Sequence, residues 1–127
     1  MEEELNVVVV DDEEPVRDIV AQLLEREGHC VRQCANALDA LEYLSQHKAD
    51  LLFSDLSMPG MTGIQLIEKV LEQNLLSKDR IVAVTGLSFE SPDVRWLTAR
   101  KIFVLFKPFD GAALRASLAT LLAGSSA

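Results

Sequence analysis

Asp11 and Asp12 stand in the stretch VVVVDDEEP, where four β-branched residues run without a break into four carboxylates and a proline. Asp55 closes a second apolar run, Thr85 a third, in VAVTG, and Lys107 a fourth, in FKPF. Three carboxylates brought close together repel one another, and a hard divalent cation is the counterion that relieves them. Oxygen-only ligands select Mg²⁺, which keeps waters and usually shares its site with a phosphate. A lysine ammonium opposite such a site and a threonine hydroxyl beside it can neutralise and orient a phosphoryl group.

Those residues meet only if the elements carrying them bring the ends of four strands together. Leu5 to Val10 is a short apolar run, the pattern of a strand buried on both faces. Pro15 suits a first helical turn, Val16, Ile19, Val20, Leu23 and Leu24 share one helical face, and Gly28 is placed to terminate it. His29 to Ala35 reads as a second strand. Asn36 can cap a helix with Ala37, Ala40, Leu41 and Leu44 inward, and Asp50 to Ser54 forms a third strand ending at Asp55. After the loop SMPGMTG comes a helix with Ile64, Ile67 and Leu71 on one face, then a strand from Ile81 to Val84 closing on Thr85 and Gly86. Ser91 and Pro92 open a fourth helix, Ile102 to Phe106 is the fifth strand, and Asp110 caps a last helix with Leu114, Leu118, Leu121 and Leu122 inward.

Strands alternating with helices predict an α/β fold: a five-stranded parallel sheet with helices on both faces and right-handed crossovers. In such a sheet the ligand site lies outside the carboxyl ends of the strands, at the topological switch point. That rule explains why the most apolar stretch runs into the densest negative charge.

Composition excludes several functions. Twenty acidic against twelve basic residues in a chain of 127 give a formal net charge of −8, which disfavours a direct nucleic-acid binder, since that task needs Lys and Arg to displace counterions. The start, MEEEL, has neither a basic nor an apolar signal region, and no apolar stretch approaches a membrane span. A cytoplasmic protein with no membrane contact is expected. Cys30 and Cys34, four apart in a strand, lie too far apart for a disulfide and are expected to be reduced core residues. His29 and His47 make no zinc spacing with them.

In VVVVDDEEP, SDLSMPGMTG, VAVTG and FKPF, taken in that order and spacing, the chain resembles the receiver domain of two-component response regulators, including the chemotaxis-regulator-like ones. The resemblance covers nearly the whole sequence and implies a flavodoxin-like fold with strand order 2-1-3-4-5. It implies that Asp55 is the phosphoacceptor, Asp12 a direct Mg²⁺ ligand, Asp11 a ligand through water and the Ser57 backbone carbonyl a further one. Thr85 and Lys107 would contact the phosphoryl oxygens, with Lys107 followed by a cis proline. The implied partners are a histidine kinase or histidine phosphotransfer protein upstream, and downstream a protein or effector domain docking on helix 4, strand 5 and helix 5. The protein would be a signalling module rather than an enzyme. Two departures stand out: Val104 occupies the place, three before the lysine, where the family often has an aromatic, and TARK replaces the glycine often found before strand five.

Two other classes compete. A haloacid-dehalogenase-like phosphohydrolase also uses an aspartyl phosphate, but wants a first-strand nucleophile with an acid two residues on and a later Gly-Asp motif, where this chain has TGLSF. A receiver-like interaction module without phosphate turnover would be expected to have lost Asp12, Asp55 or Lys107. Residues 1–122 are expected to form the domain and 123–127 a flexible tail or linker remnant.

Overall fold

The computed structural model describes residues 4–125. Its elements alternate strictly: β1 (Asn6–Val10), α1 (Glu14–Arg26), β2 (Cys30–Cys34), α2 (Ala37–Gln46), β3 (Leu51–Asp55), α3 (Gly63–Glu72), β4 (Ile81–Thr85), α4 (Pro92–Ala99), β5 (Phe103–Phe106) and α5 (Gly111–Ser125), with one 3₁₀ turn at Lys78–Arg80. All pairings are parallel, in the order β2-β1-β3-β4-β5. The progression of strands across the sheet reverses between β1 and β3, so the switch point lies at their carboxyl ends.

The apolar runs fold this way because successive strand residues face opposite sides of the sheet. Val8, Val10, Leu52, Ile81 and Ala83 pack with α2, α3 and α4 through Ala40, Leu44, Leu66, Ile67, Val70 and Leu97. Val7, Val9, Leu51, Phe53, Val82, Val84 and Leu105 face the other way, onto α1 and α5 through Val20, Leu24, Leu114, Leu118 and Leu121. Two cores on one sheet leave the strand ends as the place where polar groups can gather.

The expected caps form. The Asn36 side chain accepts from Asp39 N and Ser91 from Val94 N; beyond those expected, Thr62 with Gln65 makes a reciprocal capping box at the start of α3. Asp110 Oδ1 accepts from Ala113 N at 2.9 Å. Gly28, at φ +93°, follows the end of α1.

Some faces differ from expectation. Ile19 is 56% exposed, and α1 buries Ala21 beside Val20 and Leu24. The buried stripe of α3 is Leu66, Ile67 and Val70, with Ile64 and Leu71 only half-buried; shifting by one residue turns a helical face by about 100°. Cys30 is exposed and donates to Glu4 Oε2 at 2.6 Å, whereas Cys34 is buried. A core role for Cys30 is therefore corrected: β2 is an edge strand, and only its carboxyl end is covered. Both thiols are free. Helix α5 continues to Ser125, and residues 126 and 127 of the expected tail lie outside the described residues. No helix among the described residues is long and apolar enough to cross a membrane.

Candidate functional site

The ends of β1, β3 and β5 bring their residues together in one acidic site, with β4 ending alongside. Asp11 follows β1 and is 4% exposed, Asp55 closes β3 at 5%, Thr85 closes β4 at 1%, and Lys107 follows β5. Asp11, Asp12 and Asp55 each place a carboxylate oxygen within 4.8 Å of the others, Asp12 being the exposed one. Lys107 Nζ lies 3.4 Å from Asp55 Oδ1 and 3.5 Å from Asp11 Oδ2. Of the six residues singled out from the sequence, Asp11, Asp12, Asp55 and Lys107 converge here; Thr85 ends the adjoining strand, its backbone bonded to Lys107, and Ser57 sits two residues beyond Asp55 on the loop after β3.

Local backbone bonds hold the geometry. Asp11 N donates to Cys34 O at 3.2 Å, and Asp11 Oδ1 accepts from Glu13 N at 2.9 Å, so both ends of that residue are fixed. Lys107 N donates to Thr85 O at 2.7 Å, joining the ends of β4 and β5, and the Lys107–Pro108 peptide is cis, as expected. Thr85 Oγ1 accepts from Leu87 N at 3.0 Å, which leaves its own proton free to be donated elsewhere. Gly63 N donates to Leu56 O at 3.1 Å, and a Cβ at Gly63 would overlap the carbonyl oxygen of Asp55. The start of α3 can lie this close to the end of β3 only because that residue is glycine.

The electrostatics follow from this crowding. Burial, and after it the Asp11 carboxylate, push the Asp55 carboxyl above the ordinary aspartate range against the pull of Lys107. Burial draws Lys107 down, but Asp55 and Asp11 outweigh it and hold the ammonium above the usual lysine value. Three carboxylates face one ammonium, two of those acids being nearly inaccessible to water. An oxygen-only, anion-rich donor set of this kind fits a hard divalent cation.

The sequence reading missed two contributors. Arg17 donates from Nη1 to Asp11 O at 2.9 Å and from Nε to Gln33 Oε1 at 3.1 Å. The available signal was a cation near the amino end of a helix, where the macrodipole disfavours positive charge. Phe89, 70% exposed, stacks on Phe106 with centroids 5.7 Å apart, bringing the loop after β4 back onto the end of β5. Trp96 is half-buried over the α4 side of the core, with Arg100 3.9 Å above its ring. Met58 is buried in the same core and Met61 packs against it.

A doubly wound sheet with an acidic pocket and a lysine at its switch point defines a phosphoacceptor signalling module of the α/β class. More particularly, this chain belongs to the response regulator receiver domain family, whose profile matches residues 7–119. It is 33% identical over 128 residues to response regulator Rre1 of Synechocystis, covering all of this chain and 55% of that protein. It is 30% identical over 111 residues to sporulation initiation phosphotransferase F of Bacillus subtilis, covering 82% of each. Among solved structures, chemotaxis protein CheY4 of Vibrio cholerae superposes with a TM-score of 0.82 at 28% identity, over 94% of this chain and 99% of that one. The chain spans about half of Rre1 and most of the phosphotransferase. These matches decide against the phosphohydrolase alternative.

Proposed function

We propose that Asp55 is the phosphoacceptor and that Asp11, Asp12, Asp55 and the Ser57 carbonyl hold Mg²⁺ beside it. The observation that carries this is Asp55 itself: buried, on a strand end, 3.4 Å from Lys107 and within 4.8 Å of two further acids. A carboxylate oxygen of Asp55 attacks phosphorus, an O–P bond forms as the donor's N–P bond breaks, and the electron pair leaves on the donor imidazole, which takes up a proton. A carboxylate is a weak nucleophile, so charge on the approaching phosphoryl oxygens has to be offset. Lys107 does this from one side, and Thr85 donates its hydroxyl proton to the same group. Mg²⁺ would supply the remaining positive charge at those oxygens.

The donor partner is a histidine kinase or histidine phosphotransfer protein, and the output surface is α4, β5 and α5. Phosphorylation adds charge and acceptor oxygens beside Thr85 and Lys107, and only that difference in contacts can bias two conformations of the adjoining loops. Incubation with acetyl phosphate and Mg²⁺ followed by mass spectrometry tests the assignment. One phosphoryl group on Asp55, lost in Asp55→Asn, is expected; a group mapped to another residue would overturn it. No modification at all would favour an interaction module without phosphate turnover.

A further inference from the structure

Asp11 and Asp12 are joined by one peptide, and the orientation of that peptide sets the directions from which both side chains start. The Asp11 side chain is held by Glu13 N and Lys107 Nζ. The Asp12 carboxylate, exposed, is fixed by no hydrogen bond found among the described residues, so the backbone it hangs from is what restrains where its side chain starts. The carbonyl of Asp11 belongs to the planar unit that ends at the Asp12 Cα, and it is this oxygen that Arg17 Nη1 grips at 2.9 Å. The guanidinium is a rigid fork, and its Nε is braced at 3.1 Å by Gln33, which lies on β2, across the sheet edge from α1. One side chain therefore ties the first turns of α1, the end of β1 and the end of β2 at the acid pair.

The location is unfavourable for a cation on helix-dipole grounds, and by charge alone Arg17 would compete with a metal for the same acids. We propose that Arg17 is a positioning residue: it fixes the Asp11–Asp12 peptide so that the two carboxylates converge on a divalent cation, and Gln33 fixes Arg17. This rests on the metal reading above, and the experiment separates the two. Geometry and charge predict opposite signs when Arg17 is removed, so affinity decides between them.

The test is calorimetric titration with Mg²⁺, repeated with Mn²⁺ followed by electron paramagnetic resonance, on the wild type, Arg17→Ala, Arg17→Lys, Gln33→Ala and Asp12→Asn. Each is measured well below its own metal-free melting temperature. Removing groups that orient metal ligands typically weakens affinity by about 10- to 100-fold, and Arg17→Ala is expected near the lower figure. Arg17→Lys should not rescue it, because one ammonium cannot reach the Asp11 carbonyl and Gln33 together in the fork geometry. Gln33→Ala should weaken binding by a smaller factor. Tighter binding in Arg17→Ala would show a competing charge and overturn the proposal. An unchanged affinity with a lowered melting temperature would show a purely structural role, and full rescue by lysine would show that charge, not the fork, matters. A wild type that binds neither metal would remove both this proposal and the metal reading, whereas binding lost in Asp12→Asn but not in Arg17→Ala would remove this proposal alone.

Discussion

Replacing Asp55 by asparagine should make the metal-free protein more stable while abolishing its phosphorylation. The Asp55 and Asp11 carboxylates lie within 4.8 Å of each other, a repulsion of at least about 3.5 kcal/mol at an effective dielectric of about 20. Lys107, at 3.4 Å, offsets it by about 5 kcal/mol on the same scale. The two nearly cancel, Asp12 adds a screened repulsion from the surface, and desolvation of a 5%-exposed carboxylate costs several kcal/mol before relaxation. A net gain of about 1–2 kcal/mol is expected for Asp55→Asn, or roughly 3–10 °C in melting temperature for a chain of this size. The sign follows from the raised native pKa: the protonated carboxyl contributes stability below the unfolded value of 3.8, and that contribution is lost as pH rises through the native value. The advantage of Asn should therefore be absent in acid and grow toward neutral pH. Mg²⁺ at about ten times its dissociation constant would return about 1.4 kcal/mol to the wild type and close most of the gap. Melting followed by circular dichroism, in EDTA and then in Mg²⁺, across that pH range checks this. An Asn variant less stable than wild type in EDTA at neutral pH would refute the reasoning, since it would mean that the Lys107 attraction outweighs burial and Asp11 together.

With beryllium fluoride and Mg²⁺ as a phosphoryl mimic, amide exchange should change mainly across residues 86 to 91, because Leu87 N hangs on Thr85 Oγ1 and Phe89 rests on Phe106; changes confined to β5 would show the opposite. Thr85→Ala should still be phosphorylated at Asp55 but lose that exchange response, as measured by the same experiment. Asn36→Ala should cost about 1 kcal/mol of stability through loss of its cap and leave phosphorylation unchanged, by urea melt and mass spectrometry. At alkaline pH the Lys107 contribution should persist past the ordinary lysine range, being lost only as pH rises through its raised value; a Lys107→Met comparison of melting against pH reads this out.

The pocket was legible because its chemistry sits where strands end, and strand ends are marked by the change from apolar runs to charge. Alternation of runs and amphipathic segments was enough for the sheet, and the switch-point rule then brought Asp11, Asp12, Asp55 and Lys107 together, with Thr85 at the end of the neighbouring strand. Helix faces were less legible: in α1 and α3 two neighbouring stripes are both apolar, and only packing against the sheet chose Ala21 over Ile19 and Leu66 over Ile64. Cys30 was misjudged although the implied order 2-1-3-4-5 already put β2 at the edge, because the run of residues in a strand does not say how much of an edge strand its neighbouring helices cover. Arg17 and Phe89 act through partners far away in sequence, Gln33 and Phe106, and no local pattern announces such a pairing.

Gly63 gives the end of β3 a neighbour that no side chain can thicken. A Cβ there would overlap the Asp55 carbonyl oxygen and stand 2.7 Å from the Leu56 Cα, and backbone atoms cannot swing aside. In a library of random variants scored by survival, position 63 should therefore look as intolerant as the acids, though it carries no proton, charge or ligand atom. The two kinds of intolerance come apart when abundance and phosphorylation are scored separately: substitutions at 63 lower both, whereas Asp55→Asn lowers only the second. Anyone transplanting this pocket into another α/β scaffold must carry across the bare backbone at 63 along with the carboxylates, because the close backbone approach beside Asp55 is as much a component of the site as its side chains.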